Sequence, residues 1–148
     1  MTNGIEGSVA IVTGGLFAGA AVYVNLVEHP ARVECGVEIA VAQFGPSYRR
    51  GAVMQASLAL VAMAAGAGAW AMGGDLWWLV GGLLIGSLIP FTLLVILPTN
   101  KALLDPTLDR TSERARQLLV TWGRMHMVRS LVGVATFVLF ACLLTFRR

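Results

Sequence analysis

Charge is the scarcest feature of this sequence. Asp, Glu, Lys and Arg make up 13% of its 148 residues, about half of the roughly 25% found in soluble domains. Three long stretches carry none at all: Ser8 to Val27, Gly51 to Met72 and Leu76 to Leu97. With 57% hydrophobic residues and a mean hydropathy of +0.75, a soluble domain of this length could not hide its apolar surface. The scarcity of charge therefore excludes a soluble enzyme. The net charge is only +3, and nucleic acid is not an expected partner. Cysteine is also scarce. Cys35 and Cys142 fall at different depths, whereas a disulfide needs Cα atoms within about 7 Å. No CxxC pair or thiolate cluster is present, which excludes a thiol redox centre of that type. Low-complexity runs and internal repeats are absent as well.

What remains is a set of apolar stretches: residues 8–27, 51–72, 76–97 and 128–146, the last with Arg129 as its only charge before Arg147. About 20 apolar residues in a helix cross a bilayer core, and backbone polar groups in lipid must be satisfied within the helix. The expected fold is all-α: one membrane domain over residues 1–148, a bundle of four transmembrane helices. The first stretch has no Lys or Arg before Arg32, unlike a signal peptide's basic n-region, so it is expected to persist as a span. Basic residues set orientation. Arg32, Arg49 and Arg50 lie between spans one and two. Lys101, Arg110, Arg114, Arg116 and Arg124 lie between three and four, against Arg147 and Arg148 at the C-terminus. Both termini are expected outside, in a bacterial inner membrane, with the two basic connections in the cytoplasm.

Packing signals follow. Gly15 and Gly19 form one GxxxG pair and Gly82 and Gly86 another, spacings that let backbones approach. Bundle packing is their first reading, a homo-oligomer face the second. Pro90 is expected to kink span three, with Ser87 and Thr92 near the freed groups. Residues 34–43 are expected to form a short interfacial helix ended by Gly45-Pro46-Ser47. Thr111 or Ser112 is placed to cap a helix that runs on from about Ser112 to Phe146, extending the fourth span into the cytoplasmic loop.

Topology gathers polar residues at one membrane face: Asn25, Glu28 and His29 from span one, Tyr48 and Gln55 from span two, Asn100 after span three, and Trp122, His126 and Arg129 opening span four. The only two histidines share that depth. At 100° per residue, Gly15, Gly19, Val22, Leu26 and His29 fall on one stripe, which points His29 at the other helices. Trp122, His126, Arg129 and Gly133 form a second stripe. A membrane-buried Arg needs a partner, and Glu28 or an anionic ligand would serve. The plain readings are a Glu28–Arg129 interface ion pair, an interfacial Trp122 anchor, and lipid-headgroup contacts for Arg49 and Arg50.

The run Phe17-Ala-Gly-Ala-Ala-Val-Tyr23, then Glu28-His29-Pro30, Pro90-Phe91-Thr92, Pro98-Thr99-Asn100 and Trp122-x-x-x-His126-x-x-Arg129, resembles the anthrone oxygenase-like family of small four-helix membrane proteins. The resemblance covers nearly the whole chain. Fungal members are implicated in oxidising anthrones to anthraquinones, and most bacterial members have no assigned function. By motif, Asn100, His126 and Arg129 match the family's most recognisable positions, followed by His29. The resemblance implies a lipophilic anthrone- or quinol-like aromatic substrate and dioxygen, with no cofactor required. His126 or His29 would be the base, Arg129 and Asn100 would stabilise an oxyanion, and Tyr23 and Trp122 would stack on the substrate, with Thr92 and Glu28 beside it. Two other readings stay open. One is a metal or haem site on His29 and His126 with Glu28 as a further ligand. The other is a non-enzymatic lipid-binding or accessory membrane protein.

Overall fold

A computed structural model of the chain describes residues 4–146, so Arg147 and Arg148, counted above in the charge argument, lie outside the described residues. The described residues are helical apart from short connections, and contain four helical stretches long and apolar enough to cross a membrane: Gly4–Glu34, Val37–Ala71, Leu76–Leu103 and Glu113–Phe146. The chain is thus an integral membrane four-helix bundle, as the charge-free stretches predict. Each span is longer than its apolar stretch, because helical structure continues past the lipid-facing residues into the polar connections.

The first span is α1 (Gly4–Tyr23), a wide π turn (Val24–Glu28) and α2 (His29–Glu34). The third is built alike: α4 (Leu76–Gly86), α5 (Leu88–Phe91), a second π turn (Thr92–Ile96) and α6 (Leu97–Leu103). Both π turns precede a proline, Pro30 in one and Pro98 in the other. A proline ring clashes with the carbonyl four residues back. An extra residue in the preceding turn moves that carbonyl aside, and the helix survives with a bulge. His29 N–H accordingly bonds the Val24 carbonyl and Leu97 N–H the Thr92 carbonyl, each five residues back. Pro90 interrupts its helix as expected, at Ser87. The Ser87 hydroxyl donates to the Leu84 carbonyl at 2.7 Å and the Thr92 hydroxyl to the Leu88 carbonyl at 2.7 Å.

The expected separate helix over residues 34–43 is not separate. The chain turns at Gly36, whose φ of 99° favours glycine, and α3 then runs unbroken from Val37 to Ala71 through Pro46. Local propensity loses here to packing. Ala40, Val41 and Phe44, just before the proline, are buried in an apolar cluster with Leu103, Leu119 and Trp122, which holds the helix in line. The last helix, α7, runs from Glu113 to Phe146. Ser112 accepts from the Ala115 amide at 3.1 Å, the N-cap role expected of it.

The helices run antiparallel to their neighbours. Spans two and three meet most closely: a Cβ at Gly66 would lie 2.6 Å from the Trp78 carbonyl oxygen, and one at Gly82 would lie 2.9 Å from that of Met63. Gly82 and Gly86 therefore serve bundle packing. Of the other pair, Gly15 lies under the Phe137 ring, while Gly19 has nothing within 4 Å of a would-be Cβ. Two apolar cores result. One spans the middle and the end that holds Gly7, with Phe17, Trp78, Ile85 and Phe140. The other lies around Phe44 and Trp122 at the opposite end. Polar side chains collect between them.

Candidate functional site

Between the two cores lies a cavity of about 550 Å³. Its walls come from all four spans: Tyr23, Glu28 and Arg32 from the first, Phe44, Ser47 and Gln55 from the second, Thr92 and Asn100 from the third, and Trp122, His126 and Arg129 from the fourth. The π turns help build it. Asn25 is the second residue of one wide turn and Thr92 the first of the other. A π bulge redirects side chains at the point where it occurs, and such bulges recur at functional sites.

Arg129 is buried at 9% exposure. One guanidinium nitrogen donates to the Thr92 hydroxyl, and Nη2 donates to Gln55 Oε1 at 2.7 Å. Its Nε has no partner among the described residues. The guanidinium carbon lies 5.5 Å from the centroid of the Phe17 ring, a cation–π contact. Gly133 allows it, since a Cβ there would come within 3.0 Å of that ring. The expected Glu28–Arg129 pair is not formed. Glu28 instead accepts from Arg32, Ser47 and Gln43, because Arg32 stands one turn away on the same helix and Ser47 faces it from α3. Arg32 itself is buried, with its guanidinium carbon 5.8 Å from the Trp122 ring centroid and 6.0 Å from that of Phe44.

His126 is buried at 5% exposure and lines the cavity. Its Nδ1 lies 2.8 Å from Asn25 Oδ1, and its ring stacks on Trp122 at 4.8 Å between centroids. Trp122 is fixed in turn by its indole N–H, which donates to Asn100 Oδ1 at 2.8 Å. That bond assigns the Asn100 amide, so its Nδ2 is the group left without a partner among the described residues. Asn100 is 1% exposed, and a buried, unmatched N–H donor on a cavity wall is poised for an acceptor on a ligand.

Not every expected side chain reaches the cavity. His29 does not line it. The imidazole lies behind Trp122, 5.1 Å from that ring, seated against Gly123, where a Cβ would come within 2.8 Å of Nε2. The single stripe drawn through Gly15, Gly19, Val22, Leu26 and His29 fails because the π turn breaks the 100° period between Val22 and His29. Leu26 is 66% exposed, and Asn25 turns inward in its place. Tyr23, 55% exposed, stands at the rim. His29, His126 and Glu28, the set a metal would need, do not converge: His126 is on the wall, His29 behind the indole, and Glu28 is tied to Arg32 and Ser47. Among the described residues no three His, Cys, Asp or Glu side chains gather to hold an ion. Both cysteines are free.

The sequence reading takes Asn25 and Gln55 only as polar neighbours, Arg32 only as an orientation signal and Ser47 only as part of a helix end, and it does not name Ser130. A signal for two of them existed. Gln55 stands inside an uncharged span and Asn25 near the end of another, and polar residues at such places are functional candidates by default.

The chain can be compared with known proteins on this footing. A family model described as anthrone oxygenase matches residues 44–139, a stretch that includes Gln55, Thr92, Asn100, Trp122, His126 and Arg129. Among curated proteins, anthrone oxygenase tpcL of Aspergillus fumigatus is 30% identical over 138 residues, which cover 86% of this chain and 85% of that protein. No solved structure matches.

Proposed function

The chain belongs to the anthrone oxygenase family, and from that premise we propose that it is a membrane-embedded oxygenase of flat, lipophilic phenolic or anthrone-like molecules. The observation that carries this reading is the unmatched charge of Arg129. Its partners, Thr92 and Gln55, are neutral, and Glu28, the one acidic residue on the cavity wall among the described residues, is engaged by Arg32 and Ser47. A buried cation without a counter-anion is costly. An enolate or phenolate in the cavity would supply that anion, and a neutral lipid would not.

The chemistry follows from the acidity of a CH₂ flanked by aromatic rings and conjugated to a carbonyl. His126 Nε2 takes one proton. The negative charge that develops on the carbonyl oxygen falls to Arg129 and to the free amide N–H of Asn100, donors already oriented when the charge appears. Trp122 and Phe44 give the cavity an aromatic wall beside the rings. The electron-rich carbanion reduces dioxygen and forms a C–O bond. The resulting peroxide takes up a proton, loses the remaining C–H proton and breaks its O–O bond. The sum is one CH₂ plus O₂ giving one C=O plus H₂O. No step calls on a metal or other cofactor. In this reading the two basic connections face the cytoplasm, so the cavity lies at the cytoplasmic end and takes substrate from the bilayer.

The test is oxygen uptake by the purified protein in nanodiscs with anthrone, in the presence of a chelator. His126→Ala is expected to lower kcat by about 10²–10⁴-fold, the usual worth of a positioned base, while leaving the protein folded in the membrane. Equal rates for the two proteins would remove His126 from the mechanism. Loss of activity with chelator and recovery with added metal would replace the cofactor-free reading.

A further inference from the structure

Asn25 lies one layer behind the cavity wall. Its side chain joins the first π turn to α7, 101 residues away in sequence, through the contact with His126. We infer that Asn25 is the positioning residue that fixes the protonation of the His126 ring, holding the hydrogen on Nδ1 and leaving the Nε2 lone pair free toward the cavity. The inference rests on the proposed role of His126 as the base, but the assignment of the tautomer does not.

Donors and acceptors at Asn25 fix the tautomer. The Asn25 amide nitrogen donates to the Gly123 carbonyl at 3.1 Å. A carbonyl can only accept, so that contact places Nδ2 at Gly123 and leaves Oδ1 to face His126. An amide oxygen can also only accept. At 2.8 Å from Oδ1, His126 Nδ1 must therefore carry the hydrogen. A neutral imidazole has one N–H, so Nε2 is bare. Nε2 makes no hydrogen bond among the described residues, and His126 lines the cavity. Asn25 is itself held from a second side. The Ser130 hydroxyl is within hydrogen-bonding distance of both Asn25 Oδ1 and the Ala21 carbonyl, and Ser130 is 4% exposed. The stacked Trp122, anchored by Asn100, keeps the ring from tilting. A base oriented by a third group through its other nitrogen is a recurring arrangement in catalysis. Here the orienter is a neutral amide.

The first test leaves Asn25 and His126 unaltered. The chain has only two histidines, so ¹⁵N-histidine labelling gives two imidazoles, and His29→Gln assigns them. In nanodiscs near neutral pH, His126 is expected to show a protonated Nδ1 and a bare Nε2. A protonated Nε2 would overturn the inference outright. The second test is Asn25→Leu beside Asn25→Asp. Asn25→Leu should abolish the preference for the Nδ1–H form and lower kcat at least about 10-fold, within the ~10²–10⁴-fold a base contributes, with KM little changed. Asn25→Asp keeps an acceptor at Nδ1 but loses the donor to Gly123, so it should restore the Nδ1–H form and recover part of the kcat that Asn25→Leu loses. An Asn25→Leu protein with the wild-type tautomer, or with wild-type kcat, would overturn the positioning role. If the tautomer is as described but His126→Ala retains the full rate, the base assignment has failed and the hold of Asn25 on the ring stands apart from it.

Discussion

Arg129 Nη2 lies 2.7 Å from Gln55 Oε1, joining α7 to α3 between residues 74 apart in sequence. Gln55 is 3% exposed and stands on the cavity wall beside Arg129. Gln55→Leu would leave a buried guanidinium donor unmatched. Hydrogen bonds to charged groups are worth about 1.5–3 kcal/mol, well above the ~0.6 kcal/mol average for interhelical pairs in membranes. The expected loss of stability lies in the upper range, read as a shift of the unfolding midpoint in detergent. A midpoint equal to wild type would mean that Arg129 finds another partner.

The glycines separate into two kinds. At Gly66 a methyl group would meet the Trp78 backbone oxygen at 2.6 Å, and backbone cannot swing away, whereas at Gly19 and Gly51 it would meet nothing within 4 Å. Gly66→Ala is expected to destabilise by about 1–3 kcal/mol through overpacking. Gly19→Ala and Gly51→Ala should be neutral or slightly stabilising, since alanine favours helix over glycine by roughly 1 kcal/mol. Thermal unfolding of the three variants in one detergent would test the ranking, and a Gly19→Ala protein less stable than Gly66→Ala would reverse it.

The architecture was legible in the sequence because length and absence of charge suffice to mark a membrane helix. The cavity was legible to the extent that topology alone brings span ends together, which is why Asn100, Trp122, His126 and Arg129 meet where expected. Two things were hidden. The π turns before Pro30 and Pro98 break the 100° period, and a regular helix would instead put Leu26 where Asn25 stands and turn His29 into the cavity. The partner of Arg129 was hidden too. Charge complementarity pointed to Glu28, but Arg32, a turn away on the same helix and itself buried, takes that carboxylate first.

The connection between α6 and α7 carries a pH dependence of its own. The Thr107 hydroxyl, and after it the Thr107 amide, hold the Asp105 carboxyl below its ordinary value of 3.8, and Thr111 does the same for Asp109. A depressed folded value stabilises the loop at pH above 3.8, and that support is lost as the pH falls through the lowered value. Hydrogen exchange at the Thr107 and Thr111 amides should therefore gain protection relative to Asp105→Asn and Asp109→Asn proteins at neutral pH, and lose that advantage on acidification below the ordinary carboxylate range. An advantage that persisted in strong acid would show that the turns do not depend on ionised carboxylates.

The unmatched charge of Arg129 can be tested without disturbing its hydrogen bond. Gln55→Glu is nearly the same shape and keeps an oxygen in place for Nη2, so the protein should remain folded and Arg129 should remain in position. The change supplies the counter-anion that Arg129 otherwise lacks among the described residues. If the ligand binds as an enolate or phenolate, that carboxylate competes with it for the same guanidinium, and an anionic aromatic probe should bind at least about 10-fold more weakly, the 1.4 kcal/mol of one decade in affinity. A neutral aromatic of the same size should be affected much less. Quenching of tryptophan fluorescence provides the readout, since Trp122 lines the cavity. Equal weakening for the charged and the neutral probe would mean that Gln55→Glu merely narrows the cavity. Unchanged binding of the anionic probe would mean that Arg129 is not its partner, and the proposal that this site takes its substrate as an anion would fall.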